Sequence, residues 1–445
     1  MTSSSLEADV NLRSALDRLT RKKPAYFSYT VGDRAAQSYD YFQYPAMMVP
    51  TMLRDLTDII VSADDKIKTI LDPFAGSGSV LTEAMFRGLG FFGMDVNPLA
   101  VLLCKVRSGP FREDMLDERA DDLIDAIEAD ASSHTEARFP NINKWFSRKA
   151  IRELSRIRRA IRLEPSLWCR RFFWVCLAET VRLCSNSRTS TFKLHVRSST
   201  ELRKRRAMSP VSIFEQILTR NIQRYTEFAE VLRASEVLRH GRFCEDVSIR
   251  LVDSRTCKVD VNCDLLITSP PYGDNQTTVP YGQHSYLPLQ WIDLQDIDAT
   301  VHGNLLSSTH AIDSKSLGGS RRGALAEVGD LLALSPALAD TLEELSTLPR
   351  DRRSRVVAFS RDLNNCIKPV LKLLRKNAYM IWVVGNRKVG GVEIPTCRIL
   401  TDFLKANHAV HVVTVSRAIP AKRMASKNSV SETMSKEHIL IFRKG

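Results

Sequence analysis

Four consecutive residues, Ser269-Pro270-Pro271-Tyr272, combine a hydroxyl, a rigid backbone and an aromatic ring in a single turn. The two prolines have no backbone N–H to pair, so the carbonyls of this turn face a cavity or solvent. Such a turn could bind a planar polar group next to the tyrosine ring. A proline turn that only ends a strand explains the tetrapeptide equally well, so its function depends on the rest of the chain.

A glycine-rich turn at residues 72–79 has the order Asp-Pro-Phe-Ala-Gly-Ser-Gly-Ser and could also bind a ligand. Its glycines let the backbone come close to a bound molecule. The acid before the glycines would repel a pyrophosphate but would suit an ammonium group. Asp95 lies 23 residues after Asp72 and could accept hydrogen bonds from both hydroxyls of a ribose. Together these residues favour a nucleoside that carries an amino acid over a dinucleotide.

Hydrophobic patterning predicts the elements that must hold both turns. The apolar run 69–71 predicts a strand before the glycine-rich turn, and 80–86 predicts the helix after it. Residues 91–95 form a second predicted strand, which completes a β-α-β unit. The apolar run 264–268 predicts a short buried strand that leads into Ser269. Both turns would then lie beyond the carboxyl ends of strands, where ligand sites form in open α/β sheets.

The alternation of strands and helices returns after residue 246. Predicted strands cover 247–253, 379–386, 409–415 and 438–442, and predicted helices cover 356–374 and 396–407. This order predicts an α/β fold with a mainly parallel, doubly wound sheet and an antiparallel final strand.

The glycine-rich stretch D-P-F-A-G-S-G, followed much later by T-S-P-P-Y, resembles the S-adenosylmethionine-dependent amino-methyltransferases of DNA. These enzymes methylate exocyclic nitrogens of cytosine or adenine. Residues 44–53, with Tyr44-Pro45, Pro50 and Leu53, also resemble the family's motif X. The resemblance covers roughly residues 39–104 and 246–445. It implies a Rossmann-like methyltransferase fold, S-adenosyl-L-methionine as cofactor and double-stranded DNA as substrate.

The resemblance implies a role for each part of the two motifs. An exocyclic amine is a poor nucleophile, because its lone pair is delocalised into the ring. Ser269 and the carbonyl of Pro270 would accept its hydrogens, and Tyr272 would stack on a base flipped out of the helix. The implied catalytic residues are Ser269, Pro270, Pro271 and Tyr272. The implied cofactor-binding residues are Asp72, Phe74, Gly76 and Gly78 at the methionine end, Asp95 at the ribose beside Tyr44 and Pro45, Asp253 near the adenine, and Asn97. No metal is implied.

The first residue of the proline turn bears on the choice of base. Serine, rather than Asp or Asn, is more similar to the cytosine-N4 members, because a hydroxyl can serve both the ring N3 and the amine. Methylation of adenine N6 remains the alternative. Methylation at cytosine C5 would need a nucleophilic Cys after Pro, and no Pro-Cys pair occurs in the sequence. An RNA base methyltransferase and a catalytically silent DNA-binding subunit also remain open.

A strongly basic segment interrupts the α/β pattern. Residues 141–210 contain 18 Lys and Arg against four Glu, while the whole chain has a formal net charge of +13. Such a block predicts a polyanion-binding surface. The surrounding segment, 105–245, is predicted to be a mostly helical inserted domain that recognises the DNA target. The candidate DNA-binding residues are Lys144, Arg148, Arg188, Lys193, Arg203 and Arg205.

The remaining regions complete the predicted organisation. Residues 1–38 are predicted to be a helical N-terminal extension, and 273–350 a long loop region within the catalytic domain of 39–104 and 246–445. Nine scattered cysteines without a C-x-x-C pair argue against a disulfide framework or a zinc site. No apolar run has the length of a membrane span, and no secretory h-region occurs near Met1. We expect a cytoplasmic protein, associated with the nucleoid through DNA, in a restriction-modification or defence context. A cognate restriction endonuclease, where one exists, would be a separate chain.

Overall fold

A seven-stranded sheet forms the centre of the computed structural model, which describes residues 3–22, 26–28, 40–204, 209–419 and 434–445. The strands, in chain order, are β1 (Thr69–Asp72), β2 (Gly90–Asp95), β3 (Leu238–Arg239), β4 (Arg242–Phe243), β5 (Val247–Leu251), β6 (Cys263–Thr268), β7 (Leu374–Gly385), β8 (Arg387–Val389), β9 (Val392–Ile394), β10 (Val410–Ala418) and β11 (Lys436–Arg443). The pairs β3-β4 and β8-β9 form two small separate ladders. The order across the main sheet is β10-β11-β7-β6-β1-β2-β5.

The pairing directions confirm the predicted α/β architecture. Strand β1 pairs in parallel with both β2 and β6, and the outer pairs β2-β5 and β6-β7 are also parallel. Strand β11 is antiparallel to β7 and to the edge strand β10, so the final strand is antiparallel as predicted. The chain winds in one direction from β1 to β2 and in the other from β6 to β7. This reversal places a topological switch point between β1 and β6, and ligands bind at such points in open α/β sheets.

Seventeen α-helices surround the sheet in the described part of the chain. They are α1 (Ser3–Lys22), α2 (Pro50–Ala63), α3 (Ser79–Phe86), α4 (Pro98–Arg107), α5 (Glu113–Ala129), α6 (Ile142–Trp145), α7 (Arg148–Leu163), α8 (Leu167–Cys184), α9 (Ser199–Lys204), α10 (Pro210–Ala234), α11 (Tyr281–Leu289), α12 (Leu294–Ile297), α13 (Ala311–Lys315), α14 (Val328–Leu334), α15 (Pro336–Glu344), α16 (Arg350–Lys372) and α17 (Thr396–Ala406). None of the described helices is long and apolar enough to cross a membrane.

Alternating residues of the sheet pack into two hydrophobic cores. On β7, Ile381 belongs to one core and Trp382 to the other, because successive strand residues point to opposite faces. Helices α16 and α17 cover one face. Helices α5, α7, α8 and α10 of the segment 105–245 join the opposite core. This segment is mostly helical, as predicted, and it shares one continuous core with the sheet.

Helix α7 illustrates why the inserted segment is helical. Its apolar residues recur every three or four positions, so they form one buried stripe that contains Ile151, Leu154 and Ile157. The Oγ of Ser147 caps the helix by accepting a hydrogen bond from Ala150 N at 3.1 Å. The arginines of α7 lie between these apolar positions, on the remaining faces of the helix.

The segment 273–350 differs from the predicted long loop region. It contains the five helices α11 to α15 and two 3₁₀ turns, Gly303–Leu306 and Leu345–Thr347. Its polar composition predicted a loop, but many of its polar groups are buried and form hydrogen bonds that hold the segment together. The carboxylate of Asp313 accepts hydrogen bonds from Gly282 N at 2.7 Å and Gln283 N at 3.1 Å. These bonds join α13 to the start of α11 and stabilise a compact wall beside the sheet.

Candidate active site

The glycine-rich turn and the proline turn lie side by side in the structure. Their strands β1 and β6 are neighbours, with Ile70 opposite Leu265, so both turns leave the same edge of the sheet. A hydrogen bond of 2.7 Å from Thr268 Oγ1 to Asp72 Oδ1 joins the end of one strand to the end of the other. The two predicted motifs therefore meet at the switch point of the sheet.

A cleft opens beside these turns at the switch point of the sheet. Eight of the nine predicted cofactor-binding residues line it: Tyr44, Pro45, Asp72, Phe74, Gly76, Asp95, Asn97 and Asp253. Two residues of the proline turn, Ser269 and Pro271, line it as well. Gly78 is the ninth residue; it does not line the cleft, but precedes the first residue of α3.

Asp72 lies at the end of β1 with its carboxylate buried. The carboxylate accepts hydrogen bonds from Thr268 Oγ1 and, at 3.0 Å, from Phe74 N. Burial raises the pKa of Asp72 to about 7, although these hydrogen bonds partly oppose the shift. A cation placed beside the carboxylate would favour its charged form. Asp72 therefore suits an ammonium group more than an anion.

Asp95 lies at the end of β2 and organises the backbone around it. Its Oδ2 accepts a hydrogen bond from Gly76 N at 2.9 Å, and its Oδ1 accepts one from Asn97 N at 2.8 Å. Burial raises the pKa of Asp95 to about 6, against the effect of these backbone hydrogen bonds. Each carboxylate oxygen has two lone pairs, so both oxygens retain acceptor capacity for a pair of ligand hydroxyls.

Asn97 connects the acid-bearing turn to the opposite wall of the cleft. Its Oδ1 caps α4 by accepting a hydrogen bond from Leu99 N at 3.1 Å. Its side-chain amide donates to Tyr44 Oη at 3.1 Å and to Ser285 Oγ at 2.8 Å. The ring of Tyr44 in turn stacks on Tyr281, with ring centroids 5.8 Å apart. Asn97 therefore positions an aromatic wall of the cleft.

The glycines of the first turn are required by its backbone. Gly76 has φ 51° and Gly78 has φ 85°, a left-handed conformation that side chains disfavour. A Cβ at Gly78 would also lie 3.1 Å from the Sγ of Cys104. Gly78 thus shapes the turn and the start of α3 without lining the cleft.

Asp253 lines the cleft, but its carboxylate is held by a cation. Arg255 donates to it through Nε at 3.0 Å and through Nη2 at 2.6 Å. The same guanidinium forms an ion pair of 2.8 Å with Asp362 on α16. This pairing was not predicted, and it leaves Asp253 less acceptor capacity than Asp95 for a ligand.

A second cavity adjoins the cleft at the proline turn. All four residues of that turn line it, and Ser269 and Pro271 line both cavities. The second cavity is also lined by the apolar side chains of Met47 and Met48 and by Tyr281. Ser269 and Pro271 therefore stand between two adjoining binding spaces.

The hydroxyls of the proline turn connect to a charged pair on the antiparallel strands β10 and β11. Ser269 Oγ lies 3.2 Å from Tyr272 Oη, and Tyr272 Oη lies 3.2 Å from Glu437 Oε1. Glu437 on β11 pairs directly with Arg417 on β10, and Arg417 Nε donates to Glu437 Oε2 at 2.7 Å. Burial and the neighbouring Glu437 carboxylate raise the pKa of Tyr272 well above its ordinary value, so its hydroxyl stays protonated.

Sequence reasoning missed several residues that line the two cavities. They are Asn275, Ile312, Lys315, Leu317, Arg417 and Glu437. The segment 311–317 was missed because its polar composition resembled that of a surface loop. Arg417 on β10 and Glu437 on β11 were missed because no local signal connects them to a turn that lies more than 140 residues earlier in the sequence.

The predicted DNA-binding residues have exposed side chains where the structure describes them. Lys144 lies over the ring of Trp145 at 5.0 Å, and Arg188 forms an ion pair of 3.0 Å with Glu201. The other described candidates, Arg148, Lys193 and Arg203, form no ion pair within the described ranges of the chain. Arg205 lies outside the described residues.

Some arginines of the basic block are paired with acids outside it. Arg158 pairs with Asp293 at 2.6 Å, and Arg170 pairs with Asp296 at 2.9 Å. Arg159 pairs with Asp130 at 2.7 Å. Part of the positive charge that the sequence assigned to a polyanion-binding surface therefore fixes α7 and α8 to neighbouring segments. The exposed cations are fewer than the composition of the block indicates.

The fold is that of a Rossmann-like methyltransferase, with a cleft at its switch point. The chain is 29% identical over 450 residues to the Type II methyltransferase M.MvaI of Kocuria varians, and the alignment covers 96% of each protein. No family model matches the sequence. The similarity extends over nearly the whole of both chains, and it supports a methyltransferase.

Proposed function

We propose that this protein is a site-specific DNA methyltransferase that moves the methyl group of S-adenosyl-L-methionine to the exocyclic amine of a flipped base. The strongest support is the meeting of two cavities at Ser269 and Pro271. One cavity would hold the methyl donor and the other the base, so donor and acceptor would face each other across the proline turn. The similarity to a Type II methyltransferase supports the reaction class and a restriction-modification context.

The donor set of the cleft that contains Asp72 and Asp95 fits S-adenosyl-L-methionine. Asp72 would attract its ammonium group, and Asp95 would accept hydrogen bonds from its ribose hydroxyls. Asp253 and Phe74 would flank the cofactor elsewhere in the cleft. The cofactor supplies a methyl group on a positively charged sulfur, which an adjacent nucleophile can attack. The residues of the chain would contribute by orienting the two reactants in line.

The second cavity would hold the target base. Tyr272 would stack on the ring, while Ser269 Oγ and the carbonyl of Pro270 would accept the two hydrogens of the amine. These bonds would localise the nitrogen lone pair and aim it at the methyl group. We favour cytosine N4 over adenine N6, because serine, rather than Asp or Asn, at the first position of the proline turn is more similar to the cytosine-N4 members.

DNA would approach through the exposed cations of the helical segment. Arg148, Lys193 and Arg203 are free of ion pairs in the described chain and could contact phosphates. Lys193 belongs to a hairpin closed by a bridge between Ser187 and Val196. Leu194 N in this hairpin donates to Gln283 on α11 at 3.4 Å, and α11 starts with the cleft residue Tyr281. A phosphate contact there would hold DNA close to the cavities.

Transfer of labelled methyl groups to DNA tests the proposal. The protein is incubated with labelled S-adenosyl-L-methionine and duplex DNA of mixed sequence, and the nucleosides are separated. Label on N4-methylcytosine supports the favoured form, and label on N6-methyladenine supports the alternative. Transfer to RNA but not to DNA would contradict the proposed substrate, and failure to bind the cofactor would favour a silent DNA-binding subunit. Ser269→Ala is expected to abolish transfer while it retains cofactor binding.

A further inference from the structure

The pair of Glu437 and Arg417 fixes the direction of the hydrogen bonds between Ser269, Tyr272 and Glu437. Glu437 is paired with Arg417, and an ionised carboxylate can only accept hydrogen bonds. The hydrogen of the Tyr272 hydroxyl must therefore point to Glu437 Oε1, 3.2 Å away. The oxygen of Tyr272 is then the acceptor toward Ser269, whose hydroxyl hydrogen points to Tyr272. As a result, the free lone pairs of Ser269 Oγ face away from Tyr272.

We propose that Glu437 is a positioning residue of the transfer site, which orients the hydroxyls of Tyr272 and Ser269 so that Ser269 presents a lone pair to the amine. This inference rests on the proposed function and names a further residue that it requires. A serine hydroxyl can otherwise rotate and point its hydrogen at the amine, where it accepts nothing. Glu437 removes this alternative through two hydrogen bonds.

The surroundings of Glu437 suit this role. It is directly opposite Arg417 across the β10-β11 pair and opposite Gly385 across the β11-β7 pair. The side chain of Arg417 is 4% exposed and that of Glu437 is 14% exposed, so water competes little for these bonds. Arg417 also donates to the carbonyl of Phe27 at 3.3 Å, which limits the movement of its guanidinium. A fixed guanidinium holds the carboxylate in a fixed orientation.

The substitution Glu437→Gln is expected to reverse the polarity of the hydroxyls. Arg417 requires an acceptor, so the oxygen of the new side-chain amide would face Arg417 and its NH₂ group would face Tyr272. Tyr272 would then donate to Ser269, and the hydrogen of Ser269 would point at the amine. We expect the single-turnover rate of methyl transfer to fall about 10²-fold, comparable to the loss of one preorganised hydrogen bond. Glu437 does not line the cofactor cleft, so S-adenosyl-L-methionine affinity should change less than about threefold.

Two further variants separate orientation from general damage. Tyr272→Phe removes the connecting hydroxyl, so Glu437→Gln should cause no further loss in that background. Arg417→Met removes the guanidinium that needs the side chain at position 437 as an acceptor. In the E437Q/R417M variant, the oxygen of the introduced amide can therefore face Tyr272 again. The pair E437Q/R417M should therefore recover at least about tenfold over E437Q alone. A structural defect would instead grow with each added substitution. The E437Q/R417M pair also provides the test if E437Q alone does not fold.

A matched control exists at the other end of β11. There Asp9 accepts hydrogen bonds from Tyr379 Oη at 2.9 Å and from Arg443 Nε at 3.1 Å, the same chemistry outside both cavities. Asp9→Asn should lower the melting temperature but leave the single-turnover rate close to that of the wild type. An equal loss of rate in D9N and E437Q would overturn the proposed role of Glu437.

The outcomes distinguish this inference from the proposed function. If the wild-type protein transfers no methyl group to DNA, the proposed function is wrong and the role of Glu437 in it is wrong as well. If the wild type is active and E437Q retains a rate within about threefold, only the role of Glu437 is wrong. The same conclusion follows if E437Q slows the Tyr272→Phe variant as much as it slows the wild type. Loss of rate in E437Q, with no loss in the Tyr272→Phe background, supports the inference.

Discussion

The substitution Asp95→Asn should affect both roles of this carboxylate, which holds the backbone of the turn and is expected to bind the cofactor. Asp95 accepts hydrogen bonds from Gly76 N at 2.9 Å and from Asn97 N at 2.8 Å, and it lines the cofactor cleft. An asparagine has a single acceptor oxygen, so its NH₂ group must face one of these two backbone donors. One N–H would lose its partner, and the charge offered to a ribose would disappear.

The magnitudes follow from these two losses. Leaving one buried N–H without a partner costs about 1–3 kcal/mol, so we expect the free energy of unfolding to fall by about 2 kcal/mol. A hydrogen bond to a charged group contributes about 1.5–3 kcal/mol, and 1.4 kcal/mol corresponds to a tenfold change in affinity. The dissociation constant of S-adenosyl-L-methionine should therefore rise roughly 10- to 100-fold.

Calorimetric titration with S-adenosyl-L-methionine measures the affinity, and urea unfolding of the ligand-free protein measures the stability. Asp264→Asn is a control for the loss of a partly buried carboxylate outside the cleft. Its Oδ2 accepts from Lys68 N and Thr69 N, each at 2.9 Å, and its Oδ1 accepts from Arg375 Nε at 2.8 Å, so an asparagine would leave Arg375 without this acceptor. Asp264 lies at the start of β6, at the opposite edge of the sheet. The control should lose stability without loss of affinity. An Asp95→Asn variant that binds the cofactor within about threefold of the wild type would refute the assigned role of Asp95.

Three further predictions concern charges. Burial raises the pKa of Asp72 to about 7, so its carboxylate loses its charge below that pH. Calorimetry should therefore show weaker S-adenosyl-L-methionine binding at pH 6 than at pH 8. The difference between the two pH values should be smaller in the Asp72→Asn variant. The carboxylate of Asp296 holds Arg170 and Trp174, so Asp296→Ala should lower the free energy of unfolding in urea by about 3 kcal/mol without changing cofactor affinity. Arg148 is exposed, so Arg148→Ala should weaken DNA binding about equally for all sequences. It should also reduce the slope of log affinity against log salt concentration by about 1. An unchanged slope in a fluorescence titration would contradict a phosphate contact.

The sheet and its two turns were predictable because their signals are local. Strand β1, the glycine-rich turn and α3 form a continuous stretch of 18 residues, Thr69–Phe86, in which periodicity and glycine positions act together. The proline turn follows directly on the apolar strand β6. Parallel strands place their carboxyl ends at one edge, so two such turns converge even when nearly two hundred residues separate them.

The contacts that complete the site could not be predicted in this way. Asp253 has an apparent ligand position at a strand end, yet Arg255 holds its carboxylate. The segment 273–350 is polar in composition, yet within it the buried carboxylate of Asp313 on α13 accepts from Gly282 N on α11. In both cases the deciding partner is a specific side chain or backbone group, and neither residue type nor periodicity identifies it. Burial then decides which polar groups face a ligand and which serve the fold.

The partners of individual arginines also decide which of them can bind DNA. A count over residues 141–210 treats every arginine as available to a polyanion, whereas Arg158, Arg159 and Arg170 pair with acids from other segments. The pairs of Arg158 and Arg170 attach α7 and α8 to the segment around α12, and the pair of Arg159 attaches α7 to the end of α5, so their loss would affect stability first. The exposed candidates Arg148, Lys193 and Arg203 lie on different segments, and each can be tested alone. DNA affinity should therefore depend on a small number of identifiable residues, and a scan of the paired arginines should change stability instead.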